Sequence, residues 1–188
     1  MQRYEIRLAG LGGQGIVLAG VILGRAAAIY DGKNATQAQS YGPEARGGAC
    51  KSEVVISETE IDYPKVENPD MIGVMCQEAY DKYVDDIKPG GIVIYDPDMV
   101  PKTKPMENVK IYAVPTMKIA EQTGRKIVAN MVMVGATTAA TGVVSQQAVE
   151  KTIEKLVPRG TEKLNISAFR AGFDHIRKSM VNNDVAGR

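Results

Sequence analysis

The fold is decided near the start of the chain by the stretch YEIRLAGLGGQGIVLAGVILGRAAAI, residues 4–29. Tyr4, Ile6 and Leu8 alternate with charged residues, which is the period-2 pattern of a half-buried strand. The glycine turn GLGGQG, residues 10–15, interrupts this pattern, and apolar residues then recur at helical spacing. The stretch therefore predicts a strand, a tight turn and a helix that ends at Gly32.

The glycine turn allows two interpretations. Its spacing, G-x-G-x-x-G between a strand and a helix, is typical of turns that offer a phosphate the N–H groups of a helix N-terminus. A dinucleotide site also needs an acidic residue about 20 positions further on, where it binds a ribose. Asn34-Ala35-Thr36-Gln37 stand there instead, and Asp31 comes too early. The alternative is that the glycines only let the helix pack densely against the strand, and spacing alone leaves both interpretations open.

Strands and helices continue to alternate outward from this unit. Apolar runs predict four further strands, at 52–57, 71–76, 92–95 and 109–114. Residues 33–51 show no regular period, and the part of the chain from residue 127 onward is predicted to be helical. The pattern indicates an α/β fold with a Rossmann-like, mostly parallel sheet, flanking helices and a helical C-terminal third. Because no linker or repeat interrupts it, we expect residues 1–188 to form a single domain.

The composition excludes several kinds of chemistry. The 188 residues include two cysteines, Cys50 and Cys76, and one histidine, His175. These are too few for a four-thiolate iron–sulfur cluster or for the usual zinc ligands. The net charge of +1 argues against a nucleic-acid partner, because nucleic-acid binding requires a basic excess. We therefore expect no metal and no resident cofactor on this chain alone.

Neither an export signal nor a membrane span is expected. The first seven residues carry charges and do not resemble a signal peptide. The uncharged stretch 127–144 is nearly long enough to span a bilayer, but its asparagine, threonines and glycines indicate a buried helix. Two cysteines in an ordinary chain are consistent with free thiols in a reducing compartment. We expect a cytoplasmic protein with no membrane partner.

A second unusual segment is QSYGPEARGG, residues 39–48. It combines an aromatic ring, Tyr41, with the opposed charges of Glu44 and Arg46 and with three glycines. Long irregular loops within compact domains are often functional, and a guanidinium can bind a phosphate or a carboxylate through two hydrogen bonds. A surface loop held by a Glu44–Arg46 salt bridge is the other interpretation.

Taken together, the two glycine-rich segments make the chain similar to a known family. GLGGQG at 10–15 and QSYGPEARGG at 39–48, followed by SEVVIS at 52–57, IDYP at 61–64 and NPD at 68–70, resemble the gamma subunit of 2-oxoacid:ferredoxin oxidoreductases. The resemblance covers nearly the whole chain and is weaker after about residue 130. The form EARGGA at 44–49 is most similar to the 2-oxoglutarate type.

The resemblance implies that the chain is one part of a multisubunit enzyme. Such complexes convert 2-oxoglutarate, CoA and oxidised ferredoxin to succinyl-CoA, CO2 and reduced ferredoxin. Thiamine diphosphate, Mg and the iron–sulfur clusters then belong to the partner subunits: alpha, beta and, in some complexes, a ferredoxin-like delta. A gamma subunit for pyruvate, 2-oxoisovalerate or indolepyruvate, and a freestanding Rossmann-type nucleotide-binding module, are the alternatives.

It also implies where the site residues lie. We expect no catalytic residue and no metal ligand on this chain, and we expect the isolated chain to be inactive. The expected site is a surface that faces a partner or coenzyme A, formed by Gly12, Gly13, Gln14, Gly15, Tyr41, Glu44, Arg46 and Gly48. Its backbone N–H groups and its guanidinium are expected to contact phosphate or carboxylate groups rather than to transfer protons.

Overall fold

The computed structural model describes residues 3–40 and 49–186, with side chains described as far as residue 182. The strands are β1 Tyr4–Leu11, β2 Asn34–Ser40, β3 Ala49–Ser57, β4 Met71–Val74, β5 Ile92–Tyr95 and β6 Lys110–Ala113. The helices are α1 Ile16–Arg25, α2 Gln77–Tyr83, α3 Thr116–Thr123, α4 Ala129–Thr141, α5 Gln146–Leu156 and α6 Glu162–Ala186. The strands form one sheet in the order β2-β3-β1-β4-β5-β6.

The strand–turn–helix unit predicted at the start of the chain is confirmed. β1 is a central strand, and its residues 5–10 are buried because both faces of the sheet are covered there. α1 packs against the sheet and continues through one wider π-helical turn, Ala26–Tyr30. Gly32 follows with a φ of +65°, a left-handed conformation that lets the chain leave the helix and enter β2.

Strand direction is uniform except in β3. β4, β5 and β6 lie successively beside β1 and run parallel to it. β3 is antiparallel both to β1 and to β2, so β2 points the same way as β1. The predicted α/β class with flanking helices is therefore confirmed, and the reversal of β3 makes the sheet a mixed one.

The sequence pattern predicts no regular structure for residues 33–51, and this prediction is wrong at both ends of that range. Asn34–Ser40 forms the edge strand β2, and β3 begins at Ala49, three residues before the predicted start. The β2 sequence NATQAQS contains one β-branched residue and no large apolar one, so it carries little strand propensity of its own. Pairing with β3 from Asn34 opposite Ser57 to Ser40 opposite Lys51 imposes the extended conformation.

The helical C-terminal third is confirmed, and it encloses the larger of two hydrophobic cores. This core lies between the sheet and α1, α4, α5 and α6, whereas α2 covers a smaller core on the opposite face. The uncharged stretch predicted to be a buried helix contains α4, whose residues 129–138 are all buried. Among the described residues, no helix combines the length and the apolar character that crossing a bilayer requires.

Two glycines bring α4 and α6 into backbone contact. A Cβ atom on Gly135 would meet the carbonyl oxygen of Phe169, and one on Gly172 would meet that of Val132. Both contacts would be well inside the 3.0 Å that real Cβ atoms keep from other heavy atoms. Gly135 and Gly172 therefore serve the close packing of these two helices.

Candidate functional site

The glycine turn lies at the carboxyl end of β1. Gly13 and Gly15 have φ values of +92° and +74°, which glycine adopts without the steric penalty of a side chain. The N–H of Gln14 donates to the Leu11 carbonyl at 3.2 Å and closes the turn, and Gly15 is the N-terminal cap of α1. Gly13 and Gly15, which adopt positive φ values without strain, therefore lie where the backbone reverses direction.

The Gln14 side chain connects two strand ends. Its Oε1 atom accepts a hydrogen bond from the N–H of Leu11 at 2.7 Å, and its Nε2 atom donates to the Met75 carbonyl at 3.1 Å. A Cβ atom on Gly10 would collide with this amide, so Gly10 leaves the space that Gln14 fills. Gln14 therefore holds the turn against the ends of β1 and β4, and its amide is occupied within the chain.

Asn130 contacts the glycine turn, a contact that could not be predicted from the sequence. It is the second residue of α4, is 5% exposed, and donates from Nδ2 to the Gly15 carbonyl at 3.2 Å. A Cβ atom on Gly15 would overlap the Asn130 amide. The two residues are 115 positions apart, and a lone asparagine in an apolar run carries no local signal. Close packing therefore explains why glycine stands at positions 10 and 15, in agreement with the interpretation that the glycines serve dense packing of the turn.

Gly12 and Gly13 are not explained by packing. Both are exposed, and no atom lies within 4 Å of where a Gly13 Cβ would be. Among the described residues, no side chain caps the N-terminus of α1, and its first turn contains no acidic residue. The described part of the chain therefore supplies no side-chain acceptor for the first N–H groups of α1, which carry the positive end of the helix dipole.

The second glycine-rich segment is anchored at the same edge of the sheet. Ala49 pairs with Leu11, the last residue of β1, and Ser40 pairs with Lys51. The N–H of Ala49 also donates to Glu78 Oε1 on α2 at 3.2 Å. Tyr41, Glu44, Arg46 and Gly48 themselves lie outside the described residues. The strand ends that carry them stand beside the glycine turn.

Two clefts open next to Gly13. One, of about 250 Å³, lies toward α3 and is lined by Gln14, Met75 and Met117. The other, of about 300 Å³, lies toward α6 and is lined by Leu18, Asn130 and Asn165. Ile127 borders both clefts, and its side chain is 77% exposed.

Near this edge two thiols are buried and one buried carboxylate is hydrogen-bonded. Burial raises the pKa of the Cys50 and Cys76 thiols, so both are protonated at neutral pH. Asp96 is buried and accepts hydrogen bonds from the Thr116 hydroxyl and from the N–H groups of Asp98 and Met117. Its carboxylate therefore closes a turn and caps α3.

Metal ligands do not come together in residues 3–40 and 49–186. No group of three or more His, Cys, Asp or Glu side chains there is placed to hold a metal ion. Cys50 and Cys76 are the only cysteines of the whole sequence. The residues of this chain therefore do not fit a four-thiolate cluster.

These features define an α/β domain of the Rossmann-like class, whose glycine turn combines an uncapped helix N-terminus with two adjoining clefts. The chain belongs to the pyruvate ferredoxin/flavodoxin oxidoreductase family, which matches residues 5–175. A 2-oxoglutarate synthase subunit KorC from Methanocaldococcus jannaschii is 58% identical over 174 residues, covering 92% of this chain and 93% of that protein. The family resemblance carried by the two glycine-rich segments is confirmed.

Solved structures share the fold. The gamma subunit of a keto/oxoacid ferredoxin oxidoreductase from Geobacter sulfurreducens superposes with a TM-score of 0.84 at 48% identity, over 93% of this chain and 99% of that one. The 2-oxoglutarate:ferredoxin oxidoreductase from Magnetococcus marinus, with 2-oxoglutarate, coenzyme A and succinyl-CoA bound, has a TM-score of 0.85 at 24% identity. That match covers 95% of this chain and 32% of the longer one.

Proposed function

We propose that the chain is the gamma subunit of a 2-oxoglutarate:ferredoxin oxidoreductase. The complex would convert 2-oxoglutarate, CoA and oxidised ferredoxin to succinyl-CoA, CO2 and reduced ferredoxin. The observation that carries the proposal is the 58% identity, over nearly the full length of both chains, to a 2-oxoglutarate synthase subunit. The shortage of cysteine and histidine supports it, because the redox centres must then lie on other subunits.

The partner subunits are proposed to be alpha and beta, with a ferredoxin-like delta in complexes that have one. Thiamine diphosphate, Mg and the iron–sulfur clusters would be held by them, and ferredoxin would be reduced by the complex. We propose that residues 1–188 act as one gamma-type domain in the cytoplasm. This chain by itself would not oxidise a 2-oxoacid.

The chain's own contribution is the surface around the glycine turn. Gly12 and Gly13, with the first N–H groups of α1, would face a partner or the phosphates of coenzyme A. Gln14 and Gly15 would hold that surface in place through the contacts to Leu11, Met75 and Asn130. Tyr41, Glu44, Arg46 and Gly48 would complete it from the neighbouring strand ends.

The second candidate is a freestanding nucleotide-binding module, which the uncapped N-terminus of α1 favours. The sheet order weakens this candidate, because antiparallel β3 separates β1 from β2. A dinucleotide fold needs an acidic residue at the end of its second strand, where it binds a ribose. β2 ends in Gln39 and Ser40, both uncharged.

Reconstitution with the partner subunits tests the proposal. Co-expression of candidate alpha, beta and delta chains with and without this chain should show that CoA-dependent reduction of ferredoxin requires it. Comparing 2-oxoglutarate with pyruvate and 2-oxoisovalerate identifies the substrate, and we expect 2-oxoglutarate to be preferred. Full activity without this chain would contradict the proposal. Stabilisation of the isolated chain by millimolar NAD or FAD would favour the nucleotide-binding module.

A further inference from the structure

Ile127 is a highly exposed apolar side chain that lies between two clefts. It lies in the short turn between α3 and α4 and has the largest exposed fraction among the exposed large apolar side chains of the described residues. These are the clefts of about 250 Å³ and 300 Å³ that adjoin Gly13. We call this surface, residues 125–128 with both clefts, the Ile127 ridge.

The larger cleft presents hydrogen-bond acceptors from two buried amides. Asn130 and Asn165 are 5% and 7% exposed. The Asn130 NH2 group donates to the Gly15 carbonyl, and the Asn165 NH2 group donates to Thr161 at 2.9 and 3.1 Å. Their side-chain carbonyl oxygens accept no hydrogen bond from the described residues. Neither oxygen is fully buried, because the fully buried side-chain atom without a partner among these residues is Thr137 Oγ1. They are therefore accessible to a donor that enters the cleft.

The rim of this surface is basic. Arg125 lines the larger cleft and Lys126 the smaller one; both side chains are exposed, and among the described residues no acidic side chain lines either cleft. Lys126 is 3.3 Å from Glu121, whereas Arg125 makes no ion pair within the described part of the chain. An acidic rim on the partner would be complementary to this charge.

We propose that the Ile127 ridge is a docking surface for another subunit of the complex. The partner segment would place apolar side chains into the two clefts, bring an N–H or O–H donor to the asparagine carbonyls, and surround them with acidic residues. A protein is favoured over a small molecule because the Ile127 side chain is 77% exposed to solvent and each cleft is at or below the usual ligand-pocket volume of roughly 300–1,000 Å³. The inference rests on the proposed function.

Binding of Ile127→Asp to the purified partner subunits tests the inference. The change introduces a negative charge into a surface expected to meet acidic and apolar groups, so Kd should rise at least about tenfold. The melting temperature of the free chain should stay the same, because the native side chain is 77% exposed. Ile29→Asp is the matched control: Ile29 is 57% exposed and follows α1 at its opposite end.

Each outcome separates the possibilities. Failure of the unmodified chain to bind the partner subunits would count against the proposed function itself. Binding of the unmodified chain, Ile127→Asp and Ile29→Asp with the same Kd would overturn the docking surface alone. Normal assembly of Ile127→Asp with a raised KM for CoA would also overturn it and would make the clefts a small-molecule site. If Ile127→Asp lowers the melting temperature, Ile127→Ala, which adds no charge, decides by the same binding measurement.

Discussion

Gly15 is subject to two separate constraints, and a neighbouring glycine allows them to be distinguished. It has a φ of +74°, and its missing Cβ leaves room for the Asn130 amide. Gly13 shares the positive φ, at +92°, but has open space where its Cβ would be. A strain effect should therefore appear at both residues, and a packing effect only at Gly15.

We expect Gly15→Ala to lower the free energy of unfolding by about 2–5 kcal/mol. Left-handed backbone strain contributes roughly 1–2 kcal/mol and overpacking a further 1–3 kcal/mol. Gly13→Ala should cost only the strain, about 1–2 kcal/mol. Urea unfolding of both variants measures the difference, and equal losses would show that the contact with Asn130 is unimportant for stability.

Sequence reasoning about single residues succeeds here only where a cause is local. Glycines between a strand pattern and a helix pattern predict a turn, so the turn at residues 10–15 could be predicted from the sequence. The role of Gln14 depends on Met75, and the role of Asn130 on Gly15, both distant in sequence. Such partners become visible only when the sheet order is known.

At the scale of elements, the crossing of α4 and α6 depends on Gly135 and Gly172. Gly135→Ala gains helix propensity of about 1 kcal/mol, but its Cβ would meet the Phe169 carbonyl, which is backbone and cannot rotate away. Overpacking costs roughly 1–3 kcal/mol and more where the backbone must move. Because the backbone must move here, we expect a cost of about 3–5 kcal/mol, which leaves a net loss of about 2–4 kcal/mol in the free energy of unfolding after the propensity gain, measured by urea titration.

Gly24→Ala is the matched control for that change. Gly24 is also a buried glycine within a helix, but its nearest neighbour, Val54, would be 3.6 Å from a new Cβ, an ordinary contact. The propensity gain should then dominate, and stability should rise by about 0.5–1 kcal/mol. A loss at Gly24 similar to that at Gly135 would mean that glycine is needed in these helices for a reason other than space.

The elements that sequence reasoning located are those with a strong apolar pattern. β1, β5 and the buried helix α4 could be predicted because their cores are apolar. β2 could not, because an exposed edge strand with the sequence NATQAQS is held by its partner rather than by its own residues. The reversal of β3 is a property of topology, and a strand pattern reads the same in both directions.

For the whole molecule, Arg46→Ala separates assembly from folding. We expect it to lower activity of the reconstituted complex at least about tenfold, since a hydrogen bond to a charged group contributes roughly 1.5–3 kcal/mol. The melting temperature of the free chain should hardly change, because the proposed contact of Arg46 is made only within the complex. Arg46→Lys keeps the charge but loses the planar fork, and it should restore only part of the activity.

A fall in melting temperature that matches the fall in activity would contradict this prediction and would favour the alternative, a salt bridge of Arg46 that stabilises its own loop.

The composition fits a division of labour within the complex. Two buried thiols and one histidine are too few for the usual redox ligands, and the two loops and the Ile127 ridge are proposed as binding surfaces. The scarcity of cysteine and histidine predicts that the redox centres lie on other subunits, and the resemblance of the two loops indicates the family.

The hairpin formed by β2 and β3 has a consequence for how such chains diverge. Its register is set by seven residue pairs, so Ser40 stays opposite Lys51 regardless of what joins the strands. Closing a loop twice as long costs only about 0.6 kcal/mol more. We therefore expect that residues 41–48 can be replaced by the corresponding residues of a relative, and that recognition then changes while the β2–β3 register stays the same.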